Sequence, residues 1–479
     1  MLKRLALAGL LCTGAAGASA ADRPWVALTL GDLQAIHDTL RDNHPAPVDP
    51  SPAAAPYKRW LEQGLTKAKA MAGRVRSFEE YQRTLQFYAN GFRDGHVFIG
   101  MNVDTTVQSW TGFIVGGSSA DDATVISAEP DAGVKPGDRL VSCDGKNADA
   151  LLAERTDPYY WNADIPHARF SQYYRLFYQS DSDPRPKPQR CTFSSGTVAL
   201  NWRVIRTAEL QPMLQAARGR GARDLRMQKI GEVWLISIPT FSYFTGGDIA
   251  KARAFVEALA AQAGALKSAT IVLDVRGNGG GDSSWGESIA AALWGKDWVD
   301  RVARGFDNTV DWRVSRSNIA GLEINVGREK ASGQSEALAY WNDALARMKA
   351  ALARGEPYLR VDEPPKPVSD PPPPVPLSGH VYLFTDIACA SACLDFADLV
   401  RRLPGVTQIG LPTYADALYI DNSSHALPSG LAELSYSLKV YRHRARGNNQ
   451  WYEPQIRWPG GAITDQSIAA WAARLAQAR

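Results

Sequence analysis

Apolar residues recur at three- and four-residue spacing through the first hundred positions, with Leu33, Ile36 and Leu40 in one run and Tyr81, Leu85 and Tyr88 in another. That period predicts helices, in three pieces between Leu30 and Phe98, broken at Asn43 to Pro56 and near Met71 to Ser77. Gly95 reads as the stop of the last helix, and His96 then opens an apolar, strand-like Val97 to Met101. From about Asp104 to Ile205 the pattern shortens to β-like runs between turns, such as Gly112 to Gly116 and Ala123 to Ser127. From Gly231 apolar strands alternate with amphipathic helices. Strands are expected at Val233 to Ile238 and Thr270 to Val275, and helices at Asp248 to Leu266, Ser284 to Leu293 and Glu336 to Ala353. Val381 to Thr385, Thr407 to Gly410 and Leu434 to Tyr441 are expected to complete the same sheet. Glu363 to Pro376 contains eight prolines and predicts an extended surface connection. No internal repeat is present.

Composition narrows the class. The 479 residues are 45% hydrophobic and 22% charged, enough for a large core and two to four domains. A net charge of +3, with no Lys/Arg tract interleaved with aromatics, argues against a nucleic-acid partner. Lys3 and Arg4, the apolar Leu5 to Leu11 and Ala18-Ser19-Ala20 have the layout of a secretory signal over residues 1–20, so the expected location is periplasmic or secreted. No later apolar run reaches the ~20 residues needed to span a bilayer, so no integral membrane segment is expected in the mature chain. Cys12 follows Leu10 and Leu11, which does not suit a lipoprotein signal. The other four cysteines, Cys143, Cys191, Cys389 and Cys393, permit three pairings. Cys143–Cys191 with Cys389–Cys393 keeps each bridge inside one domain, and two buried thiols at 389 and 393 are the alternative.

Two segments carry candidate chemistry. Cys389-Ala390-Ser391-Ala392-Cys393 puts a serine at the junction of the strand Val381 to Thr385 and a helix Ala392 to Arg402, where a nucleophile would sit. An inert helix cap would sit there too. Asp274-Val275-Arg276-Gly277-Asn278-Gly279-Gly280-Gly281-Asp282 follows a buried strand, and its glycines free backbone N–H groups to face negative charge. Phosphate binding is disfavoured, because Glu287 stands where a phosphate-binding lysine would be. His37, His44, His167, His380, His425 and His443 are scattered without zinc-ligand spacing, so neither a metal nor a cofactor is expected.

The segment Val134-Lys135-Pro136-Gly137-Asp138-Arg139-Leu140-Val141-Ser142-Cys143-Asp144-Gly145 resembles a PDZ domain, a fold that adds an extended chain terminus to a sheet edge. The glycine turn, the Ser-Ala segment about a hundred residues later, and Ile409-Gly410-Leu411-Pro412-Thr413 resemble the catalytic core of the tail-specific, or C-terminal processing, serine peptidases. That resemblance implies an α/β catalytic core of the crotonase/ClpP-like kind at 208–479, a PDZ-like β-rich domain at 104–207 and a helical N-terminal domain at 21–103. It implies a polypeptide substrate cleaved through an acyl-enzyme, with Ser391 as nucleophile and the amides of Gly280 and Ala392 as oxyanion hole. Much of the family takes its base from a lysine in a "P-T-x-G-K" segment. Here Pro412-Thr413-Tyr414-Ala415-Asp416 carries Asp416 instead. The tricorn-core-like branch draws its base from a histidine before the PDZ-like domain, and His96 in Arg93-Asp94-Gly95-His96 falls there. A glutamate near the C-terminal end orients that histidine in the branch. Asn448 or Asn449 occupies the counted position, and Glu453 is the nearby carboxylate. A catalytically silent member binding a peptide or apolar ligand is the rival, and a serine enzyme with a relocated Lys439 is a third reading.

Overall fold

The computed structural model describes residues 24–478, apart from 104–105, 118, 161, 182, 218–222, 307–308, 333–334, 362–367 and 461–462. The signal-like segment 1–20 and residues 363–367 of the proline-rich connection lie outside the described residues. Helices α1 (Trp25–Asn43), α2 (Ala55–Ala72) and α3 (Phe78–Asn90) follow the apolar period of the sequence. Ser77 caps α3 by accepting the Glu80 N–H. The helix ends at Asn90 and not at Gly95, and residues 91–97 form a turn before strand β1 (Phe98–Met101).

Residues 226–457 contribute a six-stranded sheet. Its strands run in spatial order β2 (Arg226–Ile230), β3 (Val233–Ser237), β4 (Thr270–Asp274), β7 (Val381–Thr385), β8 (Val406–Gly410) and β11 (Ile456–Arg457), parallel except for β2. Both faces are covered, which explains why β4 and β7 are almost wholly apolar. Ile271, Leu273, Val381 and Leu383 pack with helices α4 (Ser283–Trp294) and α5 (Ala392–Val400). Alternate residues Val272, Tyr382 and Phe384 pack on the other side with Ile468, Trp471 and Ala472 of α6 (Asp465–Gln477).

A second sheet departs from expectation. Strands β5 (Val310–Arg313), β6 (Tyr358–Val361), β9 (Tyr419–Ala426) and β10 (Ala432–Tyr441) join β1 in a separate five-stranded sheet. The stretch Leu434 to Tyr441 therefore does not complete the parallel sheet. The reason is burial: Leu434, Tyr436 and Val440 share one core with Leu33, Ile36, Tyr81 and Leu85 of the N-terminal helices. The helices of 21–103 consequently share their core with this C-terminal sheet. Pairing of Phe98 with Ser435 and Ile99 with Leu434 fixes the turn that carries His96.

Residues 107–206 form small antiparallel sheets around a core containing Phe113, Val125, Leu140, Leu152 and Phe193. The Cys143–Cys191 disulfide joins two paired strands there. No helix among the described residues is long and apolar enough to cross a membrane.

Candidate active site

Strand β7 ends at Thr385, and six residues later the chain reaches Ser391 with φ 54° and ψ −127°. A positive φ at a non-glycine residue costs about 1–3 kcal/mol and persists only where the surroundings impose it. Sharp strand-to-helix corners that expose a nucleophilic serine have this character. Ser391 occupies the N-cap position of α5, yet its side chain makes no capping hydrogen bond. The hydroxyl is thus not spent on the role that an inert cap would fill.

Three segments hold this corner. The Cys389–Cys393 disulfide brackets it with a Cα–Cα distance of 5.1 Å, because the corner folds the two cysteines together. Asp386 accepts N–H bonds from Gly277 at 3.1 Å and from Ala388 at 2.9 Å, tying the glycine turn to the serine loop. Asp416 accepts the backbone N–H of Ser391 at 2.7 Å.

The glycine turn comes within contact distance of the serine. Gly280 has φ +102°, and a Cβ placed there would lie 2.8 Å from Ser391 Cβ and 3.0 Å from the Ala392 nitrogen. Only glycine fits so close an approach at that φ. The Ala392 N–H has no protein acceptor among the described residues, and it opens helix α5, whose N-terminal end favours negative charge. The Gly280 N–H already donates to Asn278 Oδ1 at 2.9 Å. The neighbouring Gly279 N–H has no such acceptor among the described residues, and Gly279 lines the cavity beside the serine loop. Gly279 was not singled out from sequence, because adjacent glycines in such a run look alike.

That cavity, of about 400 Å³, brings the separated segments together. Asp94, Gly95 and Val97 of the histidine turn line it together with Gly277, Gly279 and Ala390. No hydrogen bond joins the His96 ring to the Ser391 hydroxyl, and His96 Nδ1 is buried without a hydrogen-bond partner.

Asp94 supplies the charge beside His96, with Oδ1 3.5 Å from Nδ1. That separation is an ion pair and not a short hydrogen bond. Asp94 Oδ1 also accepts the backbone N–H of His96 at 2.9 Å. Its other oxygen accepts from Ser437 Oγ at 3.1 Å and pairs with His44 Nε2 at 3.2 Å. His44 Nδ1 accepts the Ala46 N–H, so the proton of a neutral His44 lies on Nε2, facing Asp94. Burial pushes the His44 pKa below its ordinary value, and the carboxyl of Asp94 is held well below the usual carboxylate range despite burial, by its two histidine partners. For His96, burial opposes the cation, but Asp94, with the charges of Asp416 and Asp421, outweighs it and raises the pKa to about 9.

Other expected residues fall elsewhere. Glu453 is not brought to His96: it accepts from Trp451 Nε1 at 3.0 Å and from Arg457 at 2.6 Å, on a half-exposed surface. Asn449 does reach the histidine turn, donating to the Arg93 carbonyl at 2.8 Å, and touches backbone and not the ring. Lys439 pairs with Asp421 and lies over the Trp312 ring. Asp94 stands two residues before His96 across a glycine, a spacing visible in the sequence. His44, read as scattered, is the second partner of that carboxylate.

Residues 232–453 match the model of peptidase family S41. No curated protein matches the chain. Among solved structures, mature CPAF complexed with lactacystin aligns with a TM-score of 0.63 at 16% identity, over 95% of this chain and 98% of that one. Mature CPAF alone gives 0.60 at 14% identity, over 94% and 97%. At these identities the likeness is one of fold.

Proposed function

We propose, from the match of residues 232–453 to the model of peptidase family S41, that the chain is a serine endopeptidase with Ser391 as nucleophile and His96 as general base, in the manner of the branch that lacks the catalytic lysine. One observation carries this reading: a strained serine whose hydroxyl is free of capping duty stands at a strand-to-helix corner, against a glycine turn and beside a cavity walled by the histidine turn. Ser391 Oγ attacks the peptide carbonyl carbon while its proton passes to His96 Nε2. The carbonyl oxygen becomes an oxyanion, held by the free N–H of Ala392 and by a glycine-turn amide, Gly280 or its neighbour Gly279. Collapse breaks the C–N bond, the amine leaves with the proton returned by His96, and an acyl-Ser391 ester remains. Water, giving its proton to His96, hydrolyses the ester and frees the serine.

Asp94, rather than Glu453, holds the imidazole with Nδ1 turned toward a carboxylate, which supports the assignment of Nε2 to the reaction. The β-rich region 104–207 acts as a PDZ-like module that presents a chain terminus at a sheet edge. Two disulfides and the signal-like residues 1–20 support a periplasmic or secreted location. Incubation with a serine-reactive fluorophosphonate tests the reading. Wild type is expected to label, with Ser391→Ala unlabelled and His96→Ala slowed. Wild-type protein that does not label, or labels equally after Ser391→Ala, would leave a catalytically silent cleft that binds a peptide.

A further inference from the structure

The aspartate found where the family lysine is expected has a position of its own. Asp416 is 3% exposed, and its Oδ2 receives the Ser391 N–H at 2.7 Å. Its backbone is pinned as well, since its carbonyl accepts from Asn449 N at 2.8 Å and from Arg444 at 3.3 Å. Beneath it lies Arg446, 1% exposed, with Nη1 3.8 Å from the same Oδ2. Arg446 also pairs with Asp398 at 3.2 Å and Asp395 at 3.3 Å, and Asp398 accepts from Tyr452 Oη. A buried guanidinium among three carboxylates compensates charge that would otherwise oppose burying Asp416.

We propose that Asp416 is the positioning residue for the nucleophile: its carboxylate, paired with Arg446, holds the Ser391 backbone N–H and so keeps that residue at positive φ. The inference deepens the peptidase reading and rests on it for its kinetic consequences. Its structural content stands apart from activity. A short charge-assisted bond to the N–H of the strained residue itself is the kind of restraint such a conformation requires. Replacing a lysine by an aspartate here removes a base and installs a backbone clamp, leaving the base to come from elsewhere.

The test compares wild type with Asp416→Asn, which keeps a side-chain oxygen, and Asp416→Ala, which does not. Crystal structures of both variants read the clamp directly. Ser391 is expected to remain near its wild-type φ in Asp416→Asn and to leave the positive-φ region in Asp416→Ala. In peptide hydrolysis, kcat is expected to fall about tenfold in Asp416→Asn and about a hundredfold in Asp416→Ala, with KM within about twofold, because the lost restraint acts in the transition state and not on substrate binding. The pH profile gives an independent readout. His96 is faced by Asp94, Asp416, Asp421 and His44, so Asp416→Asn removes one negative charge and moves the alkaline inflection to lower pH. Unchanged Ser391 geometry in folded Asp416→Ala overturns the proposal, as does undiminished turnover. If Ser391-dependent labelling were absent even in wild type, the peptidase reading would fall, while the crystal structures would still decide whether Asp416 sets the Ser391 backbone.

Discussion

An alkaline pH dependence follows from the surroundings of His96. The residue is 8% exposed, Asp94 stands 3.5 Å from Nδ1, and the pKa is raised to about 9. Against an ordinary value near ~6.5, that is a preference of roughly 3 kcal/mol for the cation. A general base must be neutral, so at pH 7 only about one molecule in a hundred is competent. The quantity to measure is kcat/KM for Ser391-dependent peptide cleavage from about pH 6 to 10 at constant ionic strength, because it reports the free enzyme. It is expected to climb about tenfold per pH unit through neutrality and to level near pH 9. Asp94→Asn removes the main partner while burial remains, so its inflection should fall toward or below the ordinary histidine value. The sign for stability runs the same way. A folded-state pKa above the unfolded one stabilises fully below about pH 6.5, and this contribution is lost as pH rises through about 9. The unfolding midpoint should decline over that interval in wild type and less so in His96→Gln. A wild-type profile already flat at pH 7 would refute the reasoning, since it would mean His96 is not held as a cation.

Gly280→Ala should abolish turnover, because the added methyl would lie 2.8 Å from both the Ala390 oxygen and Ser391 Cβ, at a backbone φ of +102°; normal activity would show that the turn does not pack on the nucleophile. Replacing Cys389 and Cys393 by alanine opens a bridge spanning four residues, which should lower stability by about 2 kcal/mol on loop-closure grounds and lower kcat more than KM, as read by denaturant titration and peptide hydrolysis. Glu453→Gln should leave kcat/KM within about twofold, since surface ion pairs of its kind contribute little and its partners are Trp451 and Arg457; a large loss would return it to the catalytic group.

The parallel layer was legible because its strands are short apolar runs alternating with amphipathic helices, as at Thr270–Asp274 and Ser283–Trp294. The placement of Ala432–Tyr441 was not, because an apolar strand does not declare which sheet it will join. Leu434, Tyr436 and Val440 are buried by helices more than three hundred residues earlier. At the site, Ser391 and the glycine turn could be read from local sequence, since a strand-to-helix corner and a tight turn are local constraints. The partners of His96 required tertiary packing: His44 reaches Asp94 from the end of another helix. Glu453 is a carboxylate near the counted position in the sequence, and nearness along the chain carries no information on which carboxylate packs against the ring. Asp416 was visible only as a missing lysine, and its bond to the Ser391 N–H depends on the neighbouring loop.

The most direct measurement is a crystal structure of the protein after reaction with a fluorophosphonate. The account predicts phosphorus bonded to Ser391 Oγ, the phosphonyl oxygen within hydrogen-bond distance of the Ala392 N–H and a glycine-turn N–H, and His96 Nε2 within reach of Ser391 Oγ. Density on another residue, or an adduct with His96 turned away from Ser391, would contradict it.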